Sequence, residues 1–298
     1  MSLLSPLVMS YLLLCGSGTR LLDRHLADRP GYAAYSARTS GFLPPATRPP
    51  TPRDGTVTDT DPTTPPDPAG TEDGGLAAVP AGDRADRPAT AGHRPLRIHR
   101  SPDAPRAAVL LLHGGRADGL EPPPRLNLPA LRMRPFGTAV VRALGGRAVL
   151  LASARYRVRG WNGPRADAAR DARGALDALT ALAPGLPVVL IGHSMGGRAA
   201  LHIGGHPAVC GIVALAPWCP PEDEVAHLRG KPLAVLHDTH DRVTDADGSR
   251  RFAERARGSG AEASVIAMAR GGHTMLRGAH HWHRLTAELA ASMVTRPG

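Results

Sequence analysis

The stretch VVLIGHSMGGRAAL, residues 188–201, constrains the fold more than any other part of the chain. A short apolar run, residues 188–191, leads into a glycine-rich corner with Ser194 at its centre, and a helix-like segment, residues 198–203, follows. The corner reads G-H-S-M-G, a match to the G-x-S-x-G pattern, which requires a strand directly before it and a helix directly after it. Both flanks fit, so we predict a strand–turn–helix unit.

The physical chemistry of such a turn favours a reactive serine. The turn forces strained backbone angles on the serine, and small flanking residues avoid clashes there. The hydroxyl then projects at the carboxyl end of a sheet, and the amides at the helix N-terminus stabilise negative charge beside it. A phosphate-binding or purely structural glycine turn is the alternative. We predict that Ser194 is a nucleophile on a nucleophile elbow.

The rest of residues 96–298 alternates between two kinds of segment. Apolar runs of strand length occur at residues 107–112, 148–152, 187–191, 211–215, 232–236 and 263–267. Helix-like segments lie between them, including residues 165–183 and 251–260. This alternation predicts crossover connections and an α/β domain with a mostly parallel sheet flanked by helices.

Two other regions precede this domain in the 298-residue chain. Residues 1–43 contain an apolar run that is shorter than the ~20 residues of a membrane-spanning helix and lacks the basic start of a signal peptide. Residues 44–95 are rich in Pro, Thr, Asp and Gly, so we predict a disordered linker. Cys15, Cys210 and Cys219 are odd in number and lack metal-ligand spacing, which indicates a reducing, cytoplasmic compartment.

The formal net charge of +10 raises the question of nucleic-acid binding. The arginines are scattered, no basic run alternates with aromatic residues and no nucleic-acid-binding motif occurs, so we predict no such partner. No H-E-x-x-H motif, phosphate-binding loop or dinucleotide fingerprint is present. His280, His281 and His283 do not share one helix face. We therefore predict neither a metal nor a cofactor.

With these features, residues 96–298 resemble the α/β-hydrolase superfamily. That family orders its catalytic residues as serine, acid and histidine along the chain. The segment PLAVLHDTHDRVTD is similar to the family's His-Gly-Thr-x-Asp-x-Val loop and puts Asp241 in the acid position. Asp238 stands where the family usually has glycine, so it is a rival acid. Asp245 and Asp247 lie further from the strand end. The resemblance implies Asp241 as the acid of the triad.

The family's histidine follows the last strand, and ASVIAMARGGHTML matches that arrangement. The pair Gly271-Gly272 lets a short loop bring the next imidazole back over the serine. The resemblance therefore implies His273 as the general base, with His280, His281 and His283 on the surface of the following helix.

The resemblance also implies an oxyanion hole made of two backbone amides. One is that of Met195, the residue after the nucleophile. The other comes from the loop His113-Gly114-Gly115-Arg116, which is similar to the family's His-Gly-x loop. We predict the Gly115 amide as this second donor, with the Arg116 amide as the alternative.

The substrate side of the site is predicted from the loops that follow the strands. Only sixteen residues, 216–231, separate two of the predicted strands, too few for a multi-helix lid, so we predict a short cap or none. We expect His113, Trp161 and Trp218 to contact the substrate. Arg157 and Arg159 are either contacts for a polar acyl group or solvated loop residues.

Residues 1–43 resemble the C-terminal tail of bacterial steroid 5-alpha-reductase-like membrane proteins. The matching residues are Ser17-Gly18, Leu21-Leu22-Asp23, Arg29-Pro30-Gly31-Tyr32 and Arg38-Thr39-Ser40. The other membrane helices and the cofactor site of that family are absent from the sequence, so its activity is not implied. We predict a gene-fusion remnant that associates weakly with a membrane, with an ordinary amphipathic extension as the alternative.

Together these features predict a serine hydrolase that acts on a carboxylic ester or related small-molecule acyl substrate. Its triad is Ser194, His273 and Asp241, and the reaction passes through an acyl-enzyme. The alternative is a non-enzymatic binding protein with the hydrolase fold, anchored by its N-terminal segment. A membrane enzyme of the reductase-like family is the third hypothesis.

Overall fold

The computed structural model describes residues 93–145 and 148–295. The predicted N-terminal segment, residues 1–43, and residues 44–92 of the predicted linker lie outside the described residues. The described strands are β1 (Leu96–Arg100), β2 (Ala107–Leu112), β3 (Val149–Ala154), β4 (Val188–His193), β5 (Val209–Leu215), β6 (Pro232–Asp238) and β7 (Glu262–Met268). The described α-helices are α1 (Leu128–Ala143), α2 (Asp167–Leu182), α3 (Met195–Ile203), α4 (Ala246–Gly258) and α5 (Ala279–Thr295).

The strands form one seven-stranded sheet in the order β1-β3-β2-β4-β5-β6-β7. Strand β1 pairs antiparallel with β3, and every other neighbouring pair is parallel. Parallel neighbours need crossover connections, and these place helices against the sheet. The predicted fold class, a mostly parallel sheet flanked by helices, is confirmed.

Strands β2 and β4 form the middle of the sheet because their sequences are apolar on both faces. Every residue of AAVLLL in β2 and of VVLIGH in β4 is buried. The register aligns Leu112, the last residue of β2, with Gly192 near the end of β4. The loops that follow these two strands therefore begin at the same level, which places the segment after Leu112 beside Ser194.

Two hydrophobic clusters, one on each face of the sheet, hold the helices in place. Helices α2, α3 and α4 pack on one face, around residues such as Leu110 and Leu190. Helices α1 and α5 pack on the other face, around Val109 and Val189. Alternate residues of each central strand thus contribute to opposite clusters, and full burial of each such side chain contributes about 1.5–3 kcal/mol.

The structure differs from the sequence prediction at several element boundaries and in two whole elements. Strand β1 was not predicted because it is an exposed edge strand with arginine at two of its five positions. Helix α1 was not predicted because it contains Pro135 in its interior and a second proline in its first turn. The segment predicted as a helix from residue 165 begins as the 3-10 turn Gly163–Arg165, and α2 starts only at Asp167.

The connection between β5 and β6, residues 216–231, contains only one 3-10 turn, Ala226–Leu228. As its length led us to expect, it carries no helical lid over the carboxyl end of the sheet. None of the helices in residues 93–145 and 148–295 combines the length and the apolar character of a membrane span.

Candidate active site

Ser194 lies in the turn between β4 and α3 and has an unusual backbone conformation. Its φ of 55° and ψ of −120° fall in a region that residues with a Cβ rarely adopt, at a cost of about 1–3 kcal/mol. The turn is tight because a Cβ on Gly192 would collide with the carbonyl oxygen of Gly196. The strained angles and small flanking residues that the sequence predicts for this turn are therefore present.

Three side chains from three different loops meet in front of this turn. Ser194 Oγ lies 3.0 Å from His273 Nε2, and His273 Nδ1 lies 2.9 Å from Asp241 Oδ2. A carboxylate only accepts hydrogen bonds, so Nδ1 carries the proton of the neutral imidazole. The unprotonated Nε2 then faces the serine hydroxyl. This arrangement can remove the hydroxyl proton and activate the oxygen as a nucleophile.

Asp241 is held ionised by the groups around its carboxylate. Its side chain has no exposed surface, and Oδ2 accepts from Thr244 Oγ1 at 3.0 Å and lies 3.3 Å from His237 Nε2. Oδ1 accepts from the backbone N–H of Val243 at 2.8 Å. Burial raises the pKa of Asp241, but the hydrogen bonds from His237 and His273 outweigh it and hold this pKa well below its ordinary value.

The rival acid, Asp238, binds two backbone amides. Its Oδ2 accepts from the N–H of Gly272 at 2.7 Å, and its Oδ1 accepts from the N–H of His240 at 2.9 Å. Asp238 therefore links the loop after β6 to the loop that carries His273. Among the described residues, Asp241 is the carboxylate that hydrogen-bonds to the imidazole of His273, as the resemblance implies.

The two more distant carboxylates serve helix α4. Asp245 is its N-cap and accepts from the N–H of Asp247 at 2.9 Å. Asp247 forms an ion pair with Arg250 one turn further on. Neither side chain contacts His273 within the described part of the chain, which removes both as candidate acids.

His193, directly before the serine, supports the main chain of His273. Its Nε2 lies 2.9 Å from the backbone oxygen of His273, and a carbonyl only accepts, so Nε2 carries the proton and donates. Burial, followed by the charges of His273 and Arg132, lowers the pKa of His193 well below its ordinary value. The neutral ring of His193 therefore holds the backbone of His273, which carries the imidazole that faces Ser194.

The two residues predicted to supply the oxyanion donors, Met195 and Gly115, are in contact. Met195 is the first residue of α3, so its N–H has no acceptor within that helix. A Cβ on Gly115 would collide with the Met195 side chain, which shows how closely the two residues approach. The amide of Arg116, the alternative donor, is occupied because it donates to the carbonyl of Arg159 at 3.0 Å.

His113, a predicted substrate contact, has hydrogen-bond partners for both of its ring nitrogens. Nδ1 lies 2.8 Å from the carbonyl oxygen of Gly114, and Nε2 accepts from Asn127 Nδ2 at 3.2 Å. The peptide unit is planar and trans, so fixing the Gly114 carbonyl also fixes the direction of the Gly115 N–H. The ring of His113 therefore holds the peptide unit that carries the Gly115 N–H.

The two predicted tryptophan contacts lie in different places. The backbone N–H of Trp218 donates to the backbone carbonyl of Ser194 at 3.3 Å, so this half-buried residue adjoins the serine. Trp161 is buried, with only 2% of its surface exposed. The two rings lie edge to face with their centres 6.2 Å apart. The guanidinium of Arg198 contacts both of them, 4.0 Å from the centre of Trp161 and 4.3 Å from that of Trp218.

The two arginines considered as substrate contacts each have a carboxylate partner. Arg157 Nε lies 2.6 Å from the buried Asp171, and Arg159 lies 3.3 Å from the exposed Glu121. Both side chains also remain partly exposed. The two arginines are therefore neither unpaired substrate contacts nor simply solvated loop residues.

Several residues that support the site or the buried Arg198 beside it were not predicted from the sequence. His237 and Thr244 contact Asp241, Asn127 contacts His113, and Asp223 pairs with the buried Arg198. One signal was available for Thr244, since it lies three residues after Asp241, a spacing typical of side chain-to-backbone turns. Another was Arg198 itself, a lone arginine in the first turns of an otherwise apolar helix, which requires a partner if buried.

In the described ranges no group of three or more His, Cys, Asp or Glu side chains is arranged to hold a metal ion. The side chains of Ser194, His273 and Asp241 form hydrogen bonds with one another. Acyl transfer through a serine needs only such groups.

Comparison with known proteins supports the hydrolase part of this description. Residues 153–231 match the family model described as serine aminopeptidase, S33. This segment contains Ser194 but ends before Asp241 and His273. A search of curated protein sequences returned no significant match. No match supports the resemblance of residues 1–43 to the tail of the reductase-like membrane proteins.

Solved structures show the same fold at low sequence identity. An esterase/lipase from an uncultured bacterium is 17% identical and aligns over 67% of this chain and 82% of its own, with a TM-score of 0.51. A protein of unknown function from Staphylococcus aureus is 11% identical and aligns over 67% of this chain and 94% of its own, with a TM-score of 0.50. The described domain therefore has the α/β-hydrolase fold, and its segment 153–231 is similar to the serine hydrolases of the S33 family.

Proposed function

We propose that this protein is a serine hydrolase that cleaves a carboxylic ester or a related acyl substrate through an acyl-enzyme intermediate. The observation that carries the proposal is the hydrogen-bonded chain from Ser194 Oγ through His273 to the buried Asp241. The family match over residues 153–231 and the fold agree with this class of reaction.

In the first half of the reaction His273 acts as a general base. Its Nε2 takes the proton of the Ser194 hydroxyl while Oγ forms a bond to the acyl carbon. The bond between that carbon and the leaving-group oxygen then breaks, and the proton on Nε2 passes to the leaving group. Asp241 keeps the imidazole in the correct tautomer and stabilises the imidazolium that forms.

In the second half a water molecule replaces the serine hydroxyl. His273 Nε2 takes a proton from the water as its oxygen attacks the acyl-enzyme, and returns it to Ser194 Oγ when the ester bond to the serine breaks. The products are a carboxylic acid and the regenerated serine. The same three side chains therefore serve both halves.

The negative charge that develops on the acyl oxygen needs donors that are already in place. We propose the amides of Met195 and Gly115 for this role, because the first lacks an intrahelical acceptor and the second adjoins it. Loss of one such donor typically reduces kcat by about 10²–10³-fold. Trp218 is the proposed contact for the substrate beside the serine.

The direct test is covalent labelling with a fluorophosphonate, which forms a bond to an activated serine oxygen and releases fluoride. We expect one label per chain in the unmodified protein and none in Ser194→Ala. Hydrolysis of a short acyl ester should fall on the order of 10⁶-fold in this variant. Ser259→Ala, at a half-buried serine directly after α4, is the matched control and should label normally.

The same experiment separates the hydrolase from a non-enzymatic binding protein of the same fold. A folded Ser194→Ala variant that retains full labelling would contradict the role of this serine. An unmodified protein that neither labels nor hydrolyses a panel of short and long acyl esters would favour the binding protein.

A further inference from the structure

A cavity lies close to the candidate active site, but residues other than Ser194, Asp241 and His273 form it. It has a volume of about 110 Å³ and lies where β1 and β3 meet the N-terminal end of α1. One of its walls is the ring of His113, the residue that fixes the Gly114 carbonyl. The cavity is thus separated from the proposed oxyanion loop by a single side chain.

The charges that line this cavity are all of one sign. Arg97, Arg125 and Arg134 come from β1, the segment before α1 and α1 itself, and no Asp or Glu lines the cavity. Within the described ranges the structure records no ion pair for any of the three. Other arginines of the domain do pair, as Arg157 does with Asp171. All three side chains are exposed to solvent, and three guanidinium groups around one small space repel one another. An anion between them would offset this repulsion.

The cavity also offers groups that form neutral hydrogen bonds. Nε2 of His99 on β1 lies 2.8 Å from the hydroxyl of Ser153 on β3, and both residues line the cavity. Partial burial, and then the charges of Arg97 and Arg134, lower the pKa of His99. The imidazole therefore remains neutral in the field of the arginines, and the positive charge of the cavity comes from the guanidinium groups.

The size of the cavity limits what it can hold. A water molecule occupies about 30 Å³ of liquid, so the space suits about three or four groups of that size. A phosphate or carboxylate group has these dimensions, and the guanidinium fork of arginine matches the geometry of both.

We propose that the cavity lined by Arg97, Arg125 and Arg134 is a binding site for an oxyanion, namely a phosphate or carboxylate group. The anion is either a free ion or the anionic part of an ester that reaches Ser194. Its site does not depend on the serine, so binding and hydrolysis can be tested apart.

The first arm measures binding of inorganic phosphate by calorimetric titration of the full chain at constant ionic strength set with chloride, with acetate as the carboxylate probe. We expect saturable binding of phosphate that is unchanged in Ser194→Ala and about tenfold weaker or more in Arg97→Gln and in Arg134→Gln. Arg100→Gln is the matched control, because Arg100 is exposed on the same strand but does not line the cavity. Absence of saturable binding, or equal binding by all variants, would overturn the proposal.

The second arm identifies the source of the anion and rests on the proposed hydrolase activity. Two esters with the same acyl group, one neutral and one carrying a carboxylate, are compared in the unmodified protein and in Arg134→Gln. A lower KM for the anionic ester that is lost in the variant assigns the site to the substrate. Equal KM values together with phosphate binding assign it to a free anion. Failure of hydrolysis alone leaves the result of the first arm in force.

Discussion

Asp241 combines complete burial of its side chain with a depressed pKa, and the reason is the number of donors around it. His273, His237 and Thr244 surround Oδ2, while the amide of Val243 binds Oδ1. Each of these contacts favours the ionised carboxylate over the neutral acid. The negative charge is thus available next to the imidazole throughout the neutral pH range, which is what an orienting acid requires.

Two substitutions distinguish the role of Asp241 from that of Asp238. Asp241→Asn keeps the shape of the side chain but can donate to His273, which stabilises the wrong tautomer, so we expect kcat to fall about 10⁴-fold. Asp238→Asn still accepts from the N–H of Gly272 through its amide oxygen, so we expect kcat to fall by less than about tenfold. The measurement is steady-state hydrolysis of a short acyl ester.

Asp245→Asn is the control for this pair, because Asp245 caps α4 and does not touch His273. The assignment of the acid would be reversed if Asp238→Asn lost the greater part of kcat while Asp241→Asn remained active. Similar losses in both variants would indicate that the loop, rather than either carboxylate, controls the reaction.

Helix α1 connects the fold to the proposed oxyanion loop through its N-cap. The side-chain oxygen of Asn127 accepts from the N–H of Ala130 at 3.4 Å, and its amide nitrogen donates to His113 at 3.2 Å. His113 in turn fixes the Gly114 carbonyl. One side chain therefore both begins a helix and orients a peptide group next to Ser194.

Two substitutions at Asn127 separate these two contributions. Asn127→Ala removes both, so we expect the free energy of unfolding to drop by about 1 kcal/mol and kcat to fall. Asn127→Asp keeps the cap but cannot donate to His113, so stability should remain and kcat should fall by about tenfold with KM little changed, less than the loss of a complete oxyanion donor. Urea denaturation and ester kinetics measure the two effects. Unchanged kcat in both variants would contradict the role of His113.

The elements that the sequence predicts best are those whose residues report burial directly. Strands β2 and β4 consist of apolar residues on both faces, so their sequences indicate a central strand without further information. Strand β1 has the alternation L-R-I-H-R, and only its pairing with β3 distinguishes it from an exposed loop. Helix α1 is held by packing against the sheet and α5, which outweighs the unfavourable effect of Pro135.

The candidate site divides in the same way. Ser194, Asp241 and His273 follow strand ends and carry recognisable local patterns, so their meeting could be predicted from chain order. The contacts of His237, Thr244 and His193 depend on how loops fold back over one another, and no local pattern specifies that. The burial of Trp161, which the sequence predicts as a substrate contact, likewise depends on packing between distant segments, including the guanidinium of Arg198 from α3.

Across the whole domain, one buried charge joins segments that lie far apart in the sequence. Arg198 in α3 binds the carboxylate of Asp223 through two hydrogen bonds of 2.7 and 2.6 Å. Its guanidinium also contacts the ring of Trp161, which follows β3, and the ring of Trp218, which follows β5. Because the ion pair is buried, its parts stabilise the domain only together.

Removing one member of this pair should therefore cost more than removing both. Arg198→Met leaves Asp223 buried without its main partner, and we expect a loss of about 3–5 kcal/mol in the free energy of unfolding. The double variant Arg198→Met with Asp223→Leu replaces the pair by apolar groups and should recover most of that loss. Urea denaturation checks both values. Equal destabilisation by the single and double variants would contradict this account.

The hydrogen bond between Asp238 and the Gly272 amide couples two loops that belong to different strands. In a chain with glycine at position 238, the acid loop and the histidine loop would still be joined through the imidazole, which contacts Asp241 and Thr244. The contact with Asp241 changes in strength whenever His273 gains or loses a proton. The bond from Asp238 is made to the backbone and does not change with the protonation of the ring. Asp238 thus gives the two loops a connection that is independent of the charge on the ring during the proposed proton transfers.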